Sequence, residues 1–174
     1  TLTNAQINAP EVGTLSGLGV DGLIKIPVIP VGFGVRYESA SVTRSTANSP
    51  IFGGVEYKYE TGFTRLALLL NYRLISNWVY LGPIASLGLS DSTFFKEKAG
   101  NDGNYKSSDE TSYSVGLEGG MKLTMLLVGA ELGYLFADYG TPKDGAAYLE
   151  SPDNQKLPLD FSGPYLKVSV GVGF

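Results

Sequence analysis

The stretch Gly163-Pro164-Tyr165-Leu166-Lys167-Val168-Ser169-Val170-Gly171-Val172-Gly173-Phe174 decides how the chain is read. Every second residue back from the end, Phe174, Val172, Val170, Val168 and Leu166, is apolar. The set between them, Gly173, Gly171, Ser169, Lys167 and Tyr165, is small or polar. Side chains on a strand alternate between faces, so this segment is a strand with one greasy face. A soluble strand buries that face in a core; a membrane barrel turns it towards lipid. The remainder of the chain decides between the two.

Working outward, the same alternation recurs. Val128, Ala130, Leu132, Tyr134 and Phe136 oppose Gly129, Glu131 and Gly133, and Tyr113, Val115, Leu117, Met121 and Leu123 oppose Ser114, Gly116, Glu118, Gly120 and Lys122. Val79, Leu81, Ala85, Leu87 and Leu89 form another greasy face; Pro83 interrupts it, and Gly82 beside it suggests a bulge. Leu66, Leu68, Leu70 and Tyr72 oppose Arg65, Asn71 and Arg73, while just upstream Val55, Tyr57 and Tyr59 oppose Glu56, Lys58 and Glu60. That parity switch near Thr61-Gly62 predicts either a bulge or a tight hairpin. Val31, Phe33, Val35 and Tyr37 oppose Gly32, Gly34, Arg36 and Glu38, and from Val12 a first patterned strand places Leu18, Val20 and Ile24 opposite Asp21 and Lys25.

Two regularities favour the membrane reading. Asp21, Lys25, Arg36, Glu38, Arg65, Arg73, Glu118, Lys122, Glu131 and Lys167 all fall on the non-greasy parity. A charge facing lipid at midplane costs roughly 2–4 kcal/mol, which explains that strictness. The connections also alternate. Pro27 to Pro30, Ile75 to Asn77 and Thr124-Met125 are short, whereas 41–50, 91–110 and 140–162 are long and polar. Outer-membrane barrels are built with short periplasmic turns and long outer loops. The expected fold is therefore all-β: a closed antiparallel up-and-down transmembrane barrel of about eight strands, one domain over 1–174, with both termini in the periplasm. Sorting all loops by length gives seven strands from Val12, and an eighth must come from Thr1 to Asn8, within the weakly patterned segment 1–11. The rival register makes Glu60-Thr61-Gly62-Phe63 a hairpin and finds eight strands after Val12.

Composition narrows the function classes. The 174 residues include no Cys and no His. Disulfides, thiolate or imidazole metal sites, cysteine nucleophiles and His-based triads are excluded. No catalytic, cofactor-binding or metal-binding residue is assigned, and no cofactor is expected. Ala99-Gly100-Asn101-Asp102-Gly103-Asn104 has calcium-loop residue types without the terminal Glu spacing and reads as a turn. A net charge of −4 and a pI near 4.8 argue against nucleic acid as a partner. The longest apolar run, Leu66 to Leu70, is too short to span as a helix. Thr1-Leu2-Thr3-Asn4 reads as a mature or trimmed start rather than a signal peptide.

The terminal Val168-x-Val170-x-Val172-x-Phe174, together with Asn71-Tyr72-Arg73-Leu74…Tyr80-Leu81-Gly82 and Ile24-Lys25-Ile26-Pro27…Gly34-Val35-Arg36-Tyr37-Glu38, resembles the small bacterial outer-membrane β-barrels of the OmpA/OmpX/OmpW type. The resemblance covers Val12 to Phe174 and is architectural. It implies a bacterial outer-membrane location, with outer-membrane lipid and lipopolysaccharide as surroundings. It also implies that Val168, Val170, Val172 and Phe174 form the signal read by the barrel-assembly machinery. The enzymatic barrels of this size depend on His, so the resemblance implies a non-enzymatic protein.

Tyr37, Tyr72, Tyr113, Tyr134, Phe136 and Phe174, near strand ends, suit aromatic girdles at the membrane interfaces. An eight-stranded barrel is just wide enough to be filled by side chains. The ten inward charges are therefore expected to pair and plug the lumen, leaving roles in membrane integrity or in surface interaction through loops 41–50, 91–110 and 140–162. One alternative is a narrow conduit lined by Arg36, Arg65, Glu118, Glu131 and Lys167. Another is a small apolar pocket lined by Leu15, Leu23, Leu69, Ile84, Leu127, Leu135, Trp78 and Tyr80. A soluble lipocalin-like carrier is the third.

Overall fold

The computed structural model describes residues 14–25, 29–46, 57–74, 78–97, 104–144, 147–148, 156 and 158–172. The strands are β1 (Ser16–Lys25), β2 (Val31–Thr46), β3 (Tyr57–Tyr72), β4 (Val79–Glu97), β5 (Asn104–Glu110), β6 (Tyr113–Leu123), β7 (Leu126–Phe136), the two-residue β8 (Lys143–Asp144) and β9 (Ala147–Tyr148), and β10 (Gly163–Val172). All pairings are antiparallel. β5 and β6 lie end to end along β4, so the long strands form seven up-and-down passes in one curled sheet, β1 to β4, then β5/β6, β7 and β10. Among the described residues β1 and β10, the two ends of the sheet, do not pair with each other. With seven passes, both run from the loop end to the turn end, and are therefore parallel in direction.

Outside the loop end, the greasy parity of the long strands faces the convex side. Leu18, Val20, Phe33, Val35, Leu68, Leu70, Leu81, Leu87, Val115, Leu117, Leu132, Val168 and Val170 are all exposed. The charged parity faces the concave side, where Arg36, Glu38, Arg65, Arg73, Glu118 and Glu131 are buried. This sheet is inside out relative to a soluble sandwich, whose buried face is the apolar one.

β3 is one continuous strand. Its ladder with β2 keeps register from Val31↔Tyr72 through Thr46↔Tyr57, so Thr61-Gly62 is neither a bulge nor a hairpin. Thr61, Phe63 and Arg65 are buried on the same face as Ala67 and Leu69. The parity switch in sequence has another cause. Towards the loop end the inward face becomes aromatic and the outward face polar, so the greasy residues change sides while the backbone does not.

The bulge lies elsewhere. Gly82↔Glu118 and Pro83↔Leu117 hold register, so Gly82 is not bulged. Pro83 sits just beyond the last registered β3–β4 pair, Asn71↔Ile84, where a missing N–H costs little. Gly82 answers a close approach instead, since a Cβ there would collide with the Tyr72 carbonyl oxygen. The register of β4 slips opposite Leu66/Ala67, between Gly88 and Ser90. Gly88 is buried, Leu89 and Ser90 are both exposed, and Asp91 is buried. This bulge re-aims β4 so that Asp91, Thr93 and Phe95, rather than their neighbours, face inward.

Two of the long loops lie elsewhere than their polarity suggests, the first displaced and the second shortened. Ser41–Thr46 belongs to β2, Asp91–Glu97 to β4 and Asn104–Glu110 to β5, leaving 47–56 and 98–103 outside the described residues. Polarity misplaces those boundaries because strands continue past the apolar band, where neither face needs to be greasy. Thr1–Glu11, Val12, Ile26–Val28, Val55, Glu56, Ile75–Asn77, Gly173 and Phe174 also lie outside the described residues.

Candidate functional site

The concave face carries three ionic clusters stacked along the strands. In the first, Arg36 of β2 is clamped between two carboxylates. Its Nε and Nη2 donate to Asp21 of β1 at 2.8 and 2.7 Å, and its Nη1 and Nη2 donate to Glu131 of β7 at 2.9 and 2.6 Å. The Tyr165 hydroxyl of β10 donates to the same Glu131 at 2.6 Å. Bidentate arginine–carboxylate pairs are among the strongest polar contacts, and here one guanidinium makes two of them.

In the second cluster Arg65 of β3 is fully buried. It donates to Glu38 at 2.9 Å, to Ser112 Oγ at 2.6 Å and to Ser86 Oγ at 2.8 Å. Ser86 in turn shares a hydrogen bond with Ser114. The other Glu38 oxygen accepts from Lys167 of β10 at 2.6 Å. Lys167 also lies 4.4 Å from the Tyr165 ring centroid. The contacts Arg36–Glu131 and Glu38–Lys167 therefore join strands near opposite ends of the curled sheet.

The third cluster lies towards the turn end. Arg73 donates to Glu118 through Nε at 2.8 Å and Nη2 at 3.2 Å, Asn71 donates to Glu118 at 2.7 Å, and the guanidinium stacks 4.0 Å from the Tyr80 ring centroid. Glu118 and Glu131 are direct cross-strand partners. Like charges in that position repel. Each is turned to its own arginine, Glu118 to Arg73 and Glu131 to Arg36. Ala67, Leu69 and Ile84 are also buried on this face.

Above these clusters the loop end is closed by packing. Phe63, Leu135, Ala137, Tyr139, Leu159 and Phe161 form a buried apolar cluster, with Leu15, Ala40, Phe95 and Tyr165 against it. Backbone bonds Tyr139 N to Leu159 O, Leu159 N to Gly140 O and Phe161 N to Ala137 O zip the two ends of the β7–β10 connection together. Leu159, within the connection expected as a polar loop at 140–162, and Tyr139, just before it, therefore lie inward, each 1% exposed. The Tyr139 hydroxyl donates to Asp91 Oδ2 at 3.3 Å. Burial, then the neighbouring Asp91, pushes the Tyr139 phenol above its ordinary range, which keeps it protonated as a donor.

Eight of the ten charged residues singled out in the sequence enter these clusters. Lys25 and Lys122 share their face but form no ion pair among the described residues; Lys25 lies near both Arg73 and Lys122 at the turn end. Tyr37, Tyr72, Tyr113, Tyr134 and Phe136 face outward and are exposed, with Tyr113 stacked on Phe136 at 4.6 Å where the β6–β7 ladder ends. Val168, Val170 and Val172 are likewise exposed, and Phe174 lies outside the described residues. Of the pocket candidates, Leu69, Ile84, Tyr80 and Leu135 are buried by packing, whereas Trp78, just before β4, is 73% exposed.

Ser86, Ser114, Asn71 and Tyr165 were missed as site residues although their parity already places them inward. Asp91 was hidden by the bulge, and Tyr139, Leu159 and Phe161 by a stretch that reads as loop. Chemically the arrangement neutralises and fills space; among the described residues no three acidic groups converge on a metal position. No family model, curated protein or solved structure matches this chain.

Proposed function

We propose that this protein is an integral bacterial outer-membrane β-barrel whose interior is plugged, and that it serves membrane integrity and surface interaction rather than catalysis or bulk transport. The observation that carries this reading is the convex face. It presents Leu, Val, Phe, Tyr and Met from every long strand, and the described charged residues of the same span lie on the concave side. A soluble monomer rarely exposes a contiguous apolar patch beyond a few hundred Å². The eleven-residue strands β6 and β7, at about 3.3 Å per residue and a tilt of about 40°, stand roughly 25 Å tall, the height of an outer-membrane apolar band.

In this reading the seam between β1 and β10 is closed by an eighth strand. Because both edges run towards the turn end, an antiparallel closure needs a strand running the other way. A segment that feeds β1 from its loop end has that direction, and residues 1–13 immediately precede it. A second copy in the same membrane offers only edges parallel to these. The loop-end extensions of β2, β3, β4 and β5 then stand clear of the lipid as the surface available to outside partners.

Two measurements test the proposal. The refolded protein should partition into detergent and migrate differently on a gel before and after boiling. In planar bilayers it should give no steady single-channel current, because the ionic clusters and the aromatic cap obstruct the interior in series. A stable conductance would favour the narrow-channel alternative. Solubility without detergent would favour the lipocalin-like carrier and overturn the membrane assignment.

A further inference from the structure

The turn end of the interior carries positive charge that nothing beside it balances. Lys25, Arg73 and Lys122 lie there on the inward parity, and Glu118 is the single described acid among them. Glu118 is already committed, both oxygens to Arg73 and one of them also to Asn71. The next layer supplies no counter-charge, because Asp21, Glu38 and Glu131 are matched by Arg36, Arg65 and Lys167. The turns supply none either. No charged residue stands between Lys25 and Arg36, between Arg73 and Asp91, between Lys122 and Glu131, or after Lys167. In the segment before β1 the one acid is Glu11, next in sequence to the loop end of that strand. Three cations against one acid leave two positive charges over, in a chain whose net charge is −4.

These cations surround open space. Arg73, Lys122 and Glu118 are the charged neighbours of Lys25. Backbone bonds from Arg73 N to Pro30 O and from Lys122 N to Trp78 O fix where two of the side chains start. The Arg73 guanidinium, stacked on the Tyr80 ring, uses Nε and Nη2 on Glu118, and its Nη1 makes no hydrogen bond among the described residues. Gly171 ends the inward cross-strand row Lys122–Leu127–Gly171. A Cβ at Gly171 would meet nothing within 4 Å, so no described side chain fills the interior beside it. Lys25, Ser169 and Gly171 are exposed, whereas Arg73, Glu118, Asn71 and Tyr80 are buried. The concavity is thus floored by the third ionic cluster and open towards the turns.

We propose that this turn-end mouth binds a phosphate dianion, free or as a monoester, between Lys25, Lys122 and the unused Nη1 of Arg73. A phosphate monoester carries a charge of about −1.5 to −2 at neutral pH, which matches the surplus of two. Its oxygens are strong acceptors, and ammonium and guanidinium groups are donors only. A monoanion would cancel half of the surplus, and a metal cation would be repelled. The site follows from the curl of the sheet and does not depend on the membrane assignment.

The test is thermal unfolding of the refolded full chain in detergent micelles at about pH 8, where phosphate is a dianion. Sodium chloride, sodium phosphate and sodium glycerol 3-phosphate are compared at one ionic strength. Phosphate also strengthens apolar burial in a non-saturating way, so the readout is a saturable rise in midpoint at millimolar concentration. A site filled at ten times its dissociation constant shifts the folding equilibrium about elevenfold. Lys25→Gln and Lys122→Gln should each weaken that dissociation constant about tenfold, and Lys96→Gln, on the outer face of the loop half, should leave it unchanged. In chloride the two inner substitutions relieve repulsion between like charges and should raise the midpoint, a reversal that a merely structural lysine would not give. A rise with both phosphates assigns the group as such; a rise with inorganic phosphate alone assigns the free anion. If neither lysine variant refolds, phosphorus-31 line broadening on the unaltered protein carries the test. No saturable rise with either phosphate, a rise that survives both inner substitutions, an equal loss in Lys96→Gln, or absent phosphorus broadening would each overturn the assignment. None of those results bears on the detergent-partitioning test.

Discussion

The turn half and the loop half of the sheet obey opposite polarity rules on the same backbone. In the turn half Leu68, Leu70, Leu117 and Leu132 face out while Arg73, Asn71 and Glu118 face in. In the loop half Phe63, Tyr139, Leu159 and Phe161 are buried inside, and Thr64, Ser92 and Lys96 lie outside. β3 passes through both without a register change. The difference teaches that side-chain polarity reports the surroundings of a face and not its direction. On the membrane reading proposed above, lipid outside the turn half draws the apolar side chains outward, and water outside the loop half returns them to the interior.

The largest effect expected from breaking this contrast is inside the ionic layer. Arg36→Ala strands Glu131 and Asp21 without their cation and should cost about 3–5 kcal/mol in denaturant unfolding. A double-mutant cycle with Glu131→Gln should recover part of that loss, because the neutral partner no longer needs the arginine. The next effect is on the convex face. Leu132→Arg, paired with Leu117 in the middle of the band, should cost about 2–4 kcal/mol in bilayers, whereas Thr64→Arg, outward but in the loop half, should fall within about 0.5 kcal/mol. Equal costs at the two positions would erase the distinction between halves. Smaller still is Tyr139→Phe, which removes the hydroxyl bond to Asp91 and should cost about 0.5–1.5 kcal/mol while leaving the ionic layer intact. Lys122→Ala should be the mildest, within about 0.5 kcal/mol, since Lys122 forms no ion pair among the described residues.

Much of the turn half was legible in the sequence. Period-two alternation with charges held to one parity is a local property of each strand, and it placed all ten charged residues on the inner face. Which acid meets which base was not legible, because Arg36–Glu131 and Glu38–Lys167 depend on how the sheet curls and how its strands are offset. The loop half was misread for a physical reason. Sequence patterning assumes that a greasy residue marks one constant face, and that assumption fails along β3, whose inward face carries Arg65 in one half and Phe63 in the other. Tyr59 therefore suggested a bulge in a regular strand, and 41–46 and 91–97 passed for loop because their outward residues are polar. The true bulge at Leu89–Ser90 was passed over because its glycine, Gly88, continues the ordinary alternation of small inward residues, and Asp91 was left in a loop although it is 2% exposed.

The most direct measurement of which solvent the convex face meets uses the absence of native cysteine. Single cysteines at positions 68, 132 and 170, and at the outward loop-half position 64, can carry nitroxide labels in lipid bilayers without a background thiol. Collision with oxygen, which concentrates in lipid, and with a water-soluble nickel chelate should then separate the sites. The account predicts that labels at 68, 132 and 170 meet oxygen and are shielded from nickel, while the label at 64 meets nickel. Free access of nickel to all four sites would place the convex face in water and contradict it.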